Sequence, residues 1–238
     1  MKSFKKCHQA ISEKIYQMNS VKIKEIFSSI QGEGRYIGYK QLFIRFAGCN
    51  LGCKYCDTDY SLNENYREYT VDELVNEVAK YTDIHSVSLT GGEPLMSVEF
   101  LKEFLPKVEK KIYLETNATL FNELKEIKRY VDIISADIKL KSATGLDTKE
   151  LHNKFFEACS GIETFAKIVF NKSITDSEIS DCVDLGKKYG TELILQPEMI
   201  DNKPTVDSEF AQYILDKFLM QYDKVRLIPQ VHKFLNVR

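Results

Sequence analysis

The chain has 238 residues, of which 43% are hydrophobic and 29% charged, a composition typical of a globular protein that buries its own core. Its 33 Lys and Arg residues against 35 Asp and Glu residues give a formal charge of −2, without the basic excess that binding a nucleic-acid backbone requires. No apolar run reaches the roughly 18–20 residues that span a bilayer, and the Lys-rich start lacks the apolar core of a signal peptide. We therefore expect a cytoplasmic protein that binds neither nucleic acid nor a membrane.

Seven short apolar runs, rich in β-branched and aromatic residues, are candidate strands. In chain order they are Leu42–Ala47, Val87–Leu89, Ile112–Leu114, Ile133–Ser135, Lys167–Phe170, Leu193–Leu195 and Val225–Ile228.

Segments with helical periodicity lie between most of these runs. Thr70 with Glu73 and Thr175 with Glu178 have the spacing of a capping box, and Gly190 has the position of a helix stop. Strands that alternate with helices predict a parallel sheet. The spacing gives about six parallel βα units, fewer than the eight that close a barrel. We therefore predict an α/β fold with an incomplete (partial) TIM-like barrel, and an open doubly wound sheet is the alternative.

Polar residues follow most of the apolar runs, where the strands are expected to end. Because active sites of parallel α/β folds lie at the carboxyl ends of the strands, we expect at least three of these residues to face one ligand. The alternative is that the strands simply end in polar loops. The residues are Thr90, Thr116, Asn117, Ser135, Asp137, Asn171 and Gln196.

Three of the six cysteines, Cys49, Cys53 and Cys56, stand together on a short loop directly after the first candidate strand. A structural zinc ion needs four ligands, so the fourth would have to be a lone cysteine (Cys7, Cys159 or Cys182) or a histidine. A [4Fe-4S] cluster held by three thiolates instead leaves one iron open to a small molecule. The missing fourth cysteine therefore favours the cluster over zinc.

The pattern Cys-x3-Cys-x-aromatic-Cys, followed by Leu89-Thr90-Gly91-Gly92-Glu93-Pro94, resembles the radical S-adenosylmethionine superfamily. The resemblance implies a full or partial α/β barrel whose open iron chelates S-adenosylmethionine. It also implies that the Gly-Gly-Glu segment holds the methionyl amine and that Tyr55 packs near the adenine. Two later segments resemble ribose and adenine contacts, and whether Asp137 or Lys139 contacts the ribose stays open. These segments contain Ser135, Ala136, Asp137 and Lys139, and Gln196, Pro197, Glu198 and Met199.

The stretches Glu25–Gly34, Phe43–Leu51 and Cys56-Asp57-Thr58 resemble the 7-carboxy-7-deazaguanine synthase family within that superfamily. The match begins at about Val21, so residues 1–20 are predicted as an N-terminal extension and residues 21–238 as a single domain. Membership implies radical conversion of 6-carboxy-5,6,7,8-tetrahydropterin to 7-carboxy-7-deazaguanine, with loss of ammonia, in queuosine biosynthesis. It also implies a Mg²⁺ ion, an electron donor such as flavodoxin or ferredoxin, and a homodimer.

The same resemblance assigns residues to the pterin. Arg45 would bind the substrate carboxylate as a bidentate fork, and the alternative is an internal ion pair with Glu33 or another acid. Thr58 would join the Mg²⁺ ion, and no side chain of the protein would act as a nucleophile. The remaining pterin contacts would be Ile30, Gln31, Gly32, Glu33, Thr90, His232 and the C-terminal Arg238.

Two rival functions remain open at this point. A radical activase that forms a glycyl radical on a partner protein can share the cysteine spacing. A zinc-stabilised binding module would explain the cysteines but leaves the Gly-Gly-Glu segment at a strand end unexplained.

Overall fold

The computed structural model describes residues 20–53, 56 and 65–237. The predicted N-terminal extension lies outside the described residues except for Ser20, the first residue of β1. The strands are β1 Ser20–Ile30, β2 Lys40–Phe46, β3 Arg67–Thr70, β4 Ser86–Gly91, β5 Ile112–Thr116, β6 Ile133–Ile138, β7 Glu163–Phe170, β8 Glu192–Pro197, β9 Met199–Ile200, β10 Lys203–Pro204 and β11 Val225–Leu227.

The described α-helices alternate with the strands along the chain. They are α1 Val71–Ala79, α2 Val98–Phe104, α3 Phe121–Ile127, α4 Lys141–Thr144, α5 Lys149–Ala158, α6 Asp176–Tyr189, α7 Ser208–Leu219 and α8 Val231–Leu235. Capping boxes at Thr70 and Thr175 begin α1 and α6, as predicted. Gly190 ends α6 in the left-handed conformation with φ 65°, which a glycine adopts without a steric penalty. No helix within the described residues is long and apolar enough to cross a membrane.

The main sheet of the described residues has nine strands in the order β11-β8-β7-β6-β5-β4-β2-β1-β3. Every neighbouring pair from β11 to β2 is parallel, whereas β1 pairs antiparallel with β2 and β3. Each new parallel strand is added on the same side of the one before it, with no reversal. A doubly wound sheet reverses at its switch point. The open, mostly parallel sheet therefore has the strand order of an incomplete barrel, which confirms the predicted fold.

All seven predicted strands are the seven parallel strands of this sheet, with bounds that differ by a few residues. β1 and β3 of this sheet, and the short strands β9 and β10, were not predicted from the sequence. The antiparallel edge is more polar, and β3 exposes two of its four residues. The alternation at the start of β1, where Val21 and Ile23 are buried between half-exposed neighbours, is the signal that could have found it.

The two faces of the sheet contain different residues because side chains alternate along each strand. The outer face joins the helices in the main core, which includes Leu89, Leu114 and Ile168. The inner face begins with a small apolar cluster of Tyr113, Ile133, Phe165 and Ile194. Two residues further along the same strands the inner face becomes polar, with Glu115, Ser135, Lys167 and Gln196. The apolar cluster thus closes one end of the inner space and leaves a polar cavity at the carboxyl ends of the strands.

Candidate active site

A cavity of about 420 Å³ lies at the carboxyl ends of the parallel strands. Six of the seven polar strand-end residues line it, and only Asn171 does not. The other predicted site residues that line it are Cys49, Cys53, Cys56, Ile30, Gln31, Gly32, Glu33, Arg45, Gly91, Gly92, Lys139, Glu198, Met199 and His232. Glu93, Ala136 and Pro197 lie outside the lining. Tyr55, Thr58 and Arg238 lie outside the described residues.

The cysteine triad forms one wall of this cavity. Cys49 and Cys53 are half-buried and Cys56 is exposed. Burial raises the pKa of the Cys49 and Cys53 thiols, so binding a metal there must displace protons. Within the described part of the chain, no three His, Cys, Asp or Glu side chains lie close enough together to hold a single metal ion. Cys159 and Cys182, two candidates for a fourth ligand, are buried and do not line this cavity.

Asn117, which follows β5, connects the triad to the rest of the site. Its amide nitrogen lies 3.9 Å from the Cys49 sulfur and donates to the Asn50 side chain at 2.8 Å. The Leu51 backbone N–H also donates to the Cys49 sulfur, at 3.5 Å. These donors fix the start of the triad loop.

Glu93 lies beneath the cavity and has no exposed surface. Its carboxylate accepts hydrogen bonds from Thr116 Oγ1 at 2.9 Å and from the backbone N–H groups of Asn117 and Leu95 at 2.8 and 3.1 Å. Burial raises the pKa of Glu93 to about 7, against the lowering effect of these hydrogen bonds. In this structure Glu93 holds the end of β5, and contact with an amine remains a prediction.

Gly91 is required by the backbone beside it rather than by a ligand. Its φ is +113°, and a Cβ there would lie 2.5 Å from the backbone nitrogen and oxygen of Phe46. The next two backbone N–H groups donate to Phe46 and Gly48 carbonyls, at 2.9 and 2.8 Å. The Gly-Gly-Glu segment is therefore bound tightly to the end of β2, directly before the triad.

Glu115 is a polar residue of the cavity lining that was not predicted from the sequence. Its carboxylate accepts from the Gln31 amide at 2.8 Å and from Thr90 Oγ1 at 3.0 Å, and Ser88 Oγ donates at 3.2 Å. The Gln31 amide also donates to Gln41 and accepts from the Glu33 backbone N–H, so it is bound within the protein. Gln31 and Thr90, both predicted pterin contacts, thus converge on one carboxylate in the cavity wall.

Glu33 binds two residues that are distant in the sequence. Its carboxylate accepts from Lys167 on β7 and from the Gln230 amide near the C-terminus, the latter at 2.5 Å. Burial opposes ionisation, but Lys167, Gln230 and His232 outweigh it and lower the pKa of Glu33 to about 2. Burial likewise opposes the charge on Lys167, and the Glu33, Asp137 and Glu115 carboxylates together raise its pKa well above the usual value. This buried pair is ionised.

Arg45 interrupts an apolar run, yet it is only partly buried, with 34% of its side chain exposed. Its Nε lies 3.6 Å from the Glu25 carboxylate, and its guanidinium lies 5.3 Å from the centre of the Phe27 ring. The pair with Glu25 is an internal ion pair with another acid, the alternative given above, whereas Glu33 is bound to Lys167 and Gln230. The guanidinium faces the cavity with one long ion pair.

Two buried acceptors on the side of the cavity formed by β6 and β8 have no hydrogen-bond donor among the described residues. They are Asp137 Oδ1 and Gln196 Oε1, and both side chains line the cavity. The other Asp137 oxygen is bound to Lys139 at 2.8 Å. Buried oxygens without donors are uncommon because they lose their hydration. This wall therefore fits a ligand that brings its own N–H or O–H groups.

The C-terminal segment covers one end of the cavity. The Val231 N–H donates to the Gly32 carbonyl at 2.9 Å, and His232 packs on Gly32 so closely that a Cβ there would lie 2.3 Å from its Nδ1. Lys167 and Gln230 were not predicted as site residues, although Lys167 stands at the start of a predicted strand. Other lining residues that it did not single out are Phe27, Phe43, Leu51, Val169, Lys233 and Val237.

Comparison with known proteins supports the class of protein that this fold and site define. The family model of the Radical SAM superfamily matches residues 43–185. The chain therefore belongs to the radical S-adenosylmethionine enzymes, which bind a [4Fe-4S] cluster and S-adenosylmethionine. The 7-carboxy-7-deazaguanine synthase of Archaeoglobus fulgidus is 35% identical, over 90% of this chain and 97% of that protein. That of Geobacter sulfurreducens is 34% identical, over 90% and 96%.

Within that superfamily, the chain belongs to the 7-carboxy-7-deazaguanine synthase family of enzymes. A solved structure described as QueE from Escherichia coli has the same fold, with a TM-score of 0.62 at 18% identity, over 90% of this chain and 95% of that one. A radical SAM methyltransferase from Sphaerobacter thermophilus superposes with a TM-score of 0.59 at 12% identity, over 89% and 73%. These two structures therefore share the fold of this chain.

Proposed function

We propose that this enzyme converts 6-carboxy-5,6,7,8-tetrahydropterin to 7-carboxy-7-deazaguanine with release of ammonia, in the cytoplasm and for queuosine biosynthesis. One observation carries the proposal: a single cavity of about 420 Å³ is lined by the cysteine triad, by Arg45 and by Glu115. The residues proposed to bind the cofactor and those proposed to bind the substrate therefore line the same cavity. A cavity of this size fits small molecules.

The residues present fit the cluster and its ligand. Three thiols on one loop line the cavity and no fourth cysteine joins them among the described residues, which is the donor set of a cluster with an open iron. Asp137 Oδ1 and Gln196 Oε1, without donors, fit the hydroxyl and amino groups of S-adenosylmethionine. Lys139, on the same wall, fits its carboxylate. When bound, the cluster and S-adenosylmethionine supply the one-electron chemistry of the reaction.

The part of the cavity lined by Arg45 and Glu115, called the substrate wall below, fits the pterin. The Arg45 guanidinium can bind a carboxylate with two parallel hydrogen bonds. Glu115, held by Gln31 and Thr90, presents an acceptor to the N–H groups of a reduced pterin ring. Glu33, ionised by Lys167, is a second acceptor nearby. The protein thus orients the pterin by its two polar ends.

The C-terminal segment excludes water from this end of the cavity. Gln230 binds Glu33, and Val231 and His232 hold the segment against Gly32. We propose that His232 and the C-terminal carboxylate of Arg238 add contacts to the pterin. Exclusion of water protects a reactive intermediate from side reactions.

The remaining assignments of the family extend this proposal. Thr58 would supply one hydroxyl to a Mg²⁺ ion that also binds substrate oxygens, since Mg²⁺ usually takes few protein ligands. Cys56 is exposed, so an electron donor such as flavodoxin or ferredoxin could approach the cluster there. A homodimer is the proposed assembly.

An anaerobic assay tests the function. Protein with a reconstituted cluster is incubated with S-adenosylmethionine, a strong reductant, Mg²⁺ and the carboxylated pterin, and products are identified by mass spectrometry. We expect one ammonia for each 7-carboxy-7-deazaguanine, and a slower reaction after Mg²⁺ is chelated. Formation of a radical on an added protein, with no deazaguanine, would contradict the proposal and favour an activase.

A further inference from the structure

One charged side chain of the cavity is explained by neither ligand alone. Lys167 stands on the inner face of β7, and only 12% of its side chain is exposed. It is the parallel-strand partner of Asp137 on β6, and its ammonium lies 3.5 Å from Asp137 Oδ2. The same ammonium donates to Glu33 Oε2. A single buried cation therefore binds two carboxylates.

These two carboxylates belong to different halves of the cavity. Glu33 follows β1 and is continuous with the substrate wall through Gln31 and with the C-terminal segment through Gln230. Asp137 stands beside Lys139 on the side of the cavity that also contains Gln196, called the cofactor wall here. Glu33 and Asp137 have no direct contact. Lys167 is the connection between them within the described residues.

The two oxygens of Asp137 are not equivalent. Oδ2 faces both ammonium groups, at 2.8 Å from Lys139 and 3.5 Å from Lys167, whereas Oδ1 is buried and accepts no hydrogen bond. A donor on the cofactor would bind Oδ1. How strongly that oxygen accepts depends on how much of the carboxylate charge the two ammonium groups neutralise. The share of Lys167 in turn depends on its competing bond to Glu33.

We propose that Lys167 is a positioning residue that couples the substrate wall to the cofactor wall, by dividing one ammonium between Glu33 and Asp137. The proposal rests on the proposed function for the identity of the two ligands. When Glu33 is made neutral, Asp137 becomes the stronger partner of Lys167. The Lys167 ammonium then moves toward Asp137. Asp137 Oδ1 then becomes a weaker acceptor, and the affinity for S-adenosylmethionine falls although Glu33 does not contact that wall.

A double-mutant cycle tests the coupling by binding alone, without the pterin. Wild type, Glu33→Gln, Lys167→Met and the double variant are reconstituted anaerobically to equal iron content. The Kd for S-adenosylmethionine is measured by equilibrium dialysis. We expect Glu33→Gln to raise this Kd about fivefold, a typical size for coupling between sites. In the Lys167→Met background, we expect Glu33→Gln to leave the Kd unchanged.

Two results would overturn the proposal: no effect of Glu33→Gln on the Kd, or the same fold-change in both backgrounds. If Lys167 has only a structural role, the second result is expected. Loss of Lys167 then lowers the affinity for S-adenosylmethionine but does not change the effect of Glu33→Gln. Lys149→Met, which removes an exposed ion pair with Asp181, is the matched control and should preserve the Glu33→Gln effect. Should Lys167→Met fail to fold, Lys167→Gln takes its place with the same outcomes. Failure of the proposed function is seen separately, as absence of deazaguanine from the wild-type assay.

Discussion

At the scale of single residues, Arg45 is the proposed ligand of the substrate carboxylate. We expect Arg45→Ala to raise the KM for the carboxylated pterin about 10- to 100-fold, since a hydrogen bond to a charged group contributes about 1.5–3 kcal/mol. The iron content and the affinity for S-adenosylmethionine should be unchanged. Steady-state kinetics at saturating S-adenosylmethionine measure the effect. Arg35→Ala is the control, because Arg35 binds Glu163 and Glu192 and does not line the cavity. Equal KM values for wild type and Arg45→Ala would remove Arg45 from the substrate site.

Asn117 lies close to the sulfur of Cys49, one of the proposed cluster ligands. Its amide lies 3.9 Å from that sulfur, and hydrogen bonds to cluster sulfurs raise the reduction potential. We expect Asn117→Leu to lower the potential by about 40 mV, which corresponds to loss of one hydrogen bond of about 1 kcal/mol in a one-electron couple. A redox titration followed by electron paramagnetic resonance measures the shift. Asn171→Leu, outside the cavity, should leave the potential where it is, and a shift of similar size there would contradict the assignment.

At the scale of elements, the C-terminal helix α8 packs against Gly32, where any side chain would push His232 away. In Gly32→Ala, the new Cβ would lie 2.3 Å from His232 Nδ1 and 2.5 Å from its Cβ. Overpacking of this kind costs about 1–3 kcal/mol. We therefore expect faster hydrogen exchange at the Val231 amide, measured by mass spectrometry, and a higher KM for the pterin. A Cβ at Gly52 would meet nothing within 4 Å, so Gly52→Ala should leave exchange at Val231 unchanged. Unchanged exchange in Gly32→Ala would contradict the contact.

Glu33 joins the end of β1 to β7 and to the C-terminal segment, so its ionisation stabilises the arrangement of three elements. Its pKa is lowered from 4.5 to about 2, which means that the stabilisation is present above pH 4.5 and is lost as the pH falls toward 2. By pH 3 we expect the free-energy difference between wild type and Glu33→Gln to shrink by about 2 kcal/mol relative to pH 6. Urea unfolding of the cluster-free protein measures this difference. Glu68→Gln, exposed on β3, serves as the control, and a pH-independent difference for Glu33→Gln would contradict the account.

At the scale of the whole molecule, the sequence predicted what depends on local pattern. The parallel strands were predictable because strands buried on both faces are continuous apolar runs, and the triad because its thiols are adjacent in sequence. The antiparallel edge was missed because β3 is short and half exposed. Glu115, Lys167 and Gln230 were missed because their roles depend on partners far along the chain, such as the 134 positions between Glu33 and Lys167. Only folding brings those side chains together.

We propose above all that the three triad thiols hold a cluster with one iron open to S-adenosylmethionine. Electron paramagnetic resonance of the anaerobically reconstituted and reduced protein, recorded before and after S-adenosylmethionine is added, tests this claim most directly. We expect a [4Fe-4S]⁺ signal that changes shape on addition, and no such signal in the Cys53→Ala variant. A spectrum that S-adenosylmethionine leaves unchanged, or a colourless protein that contains one zinc ion, would contradict it.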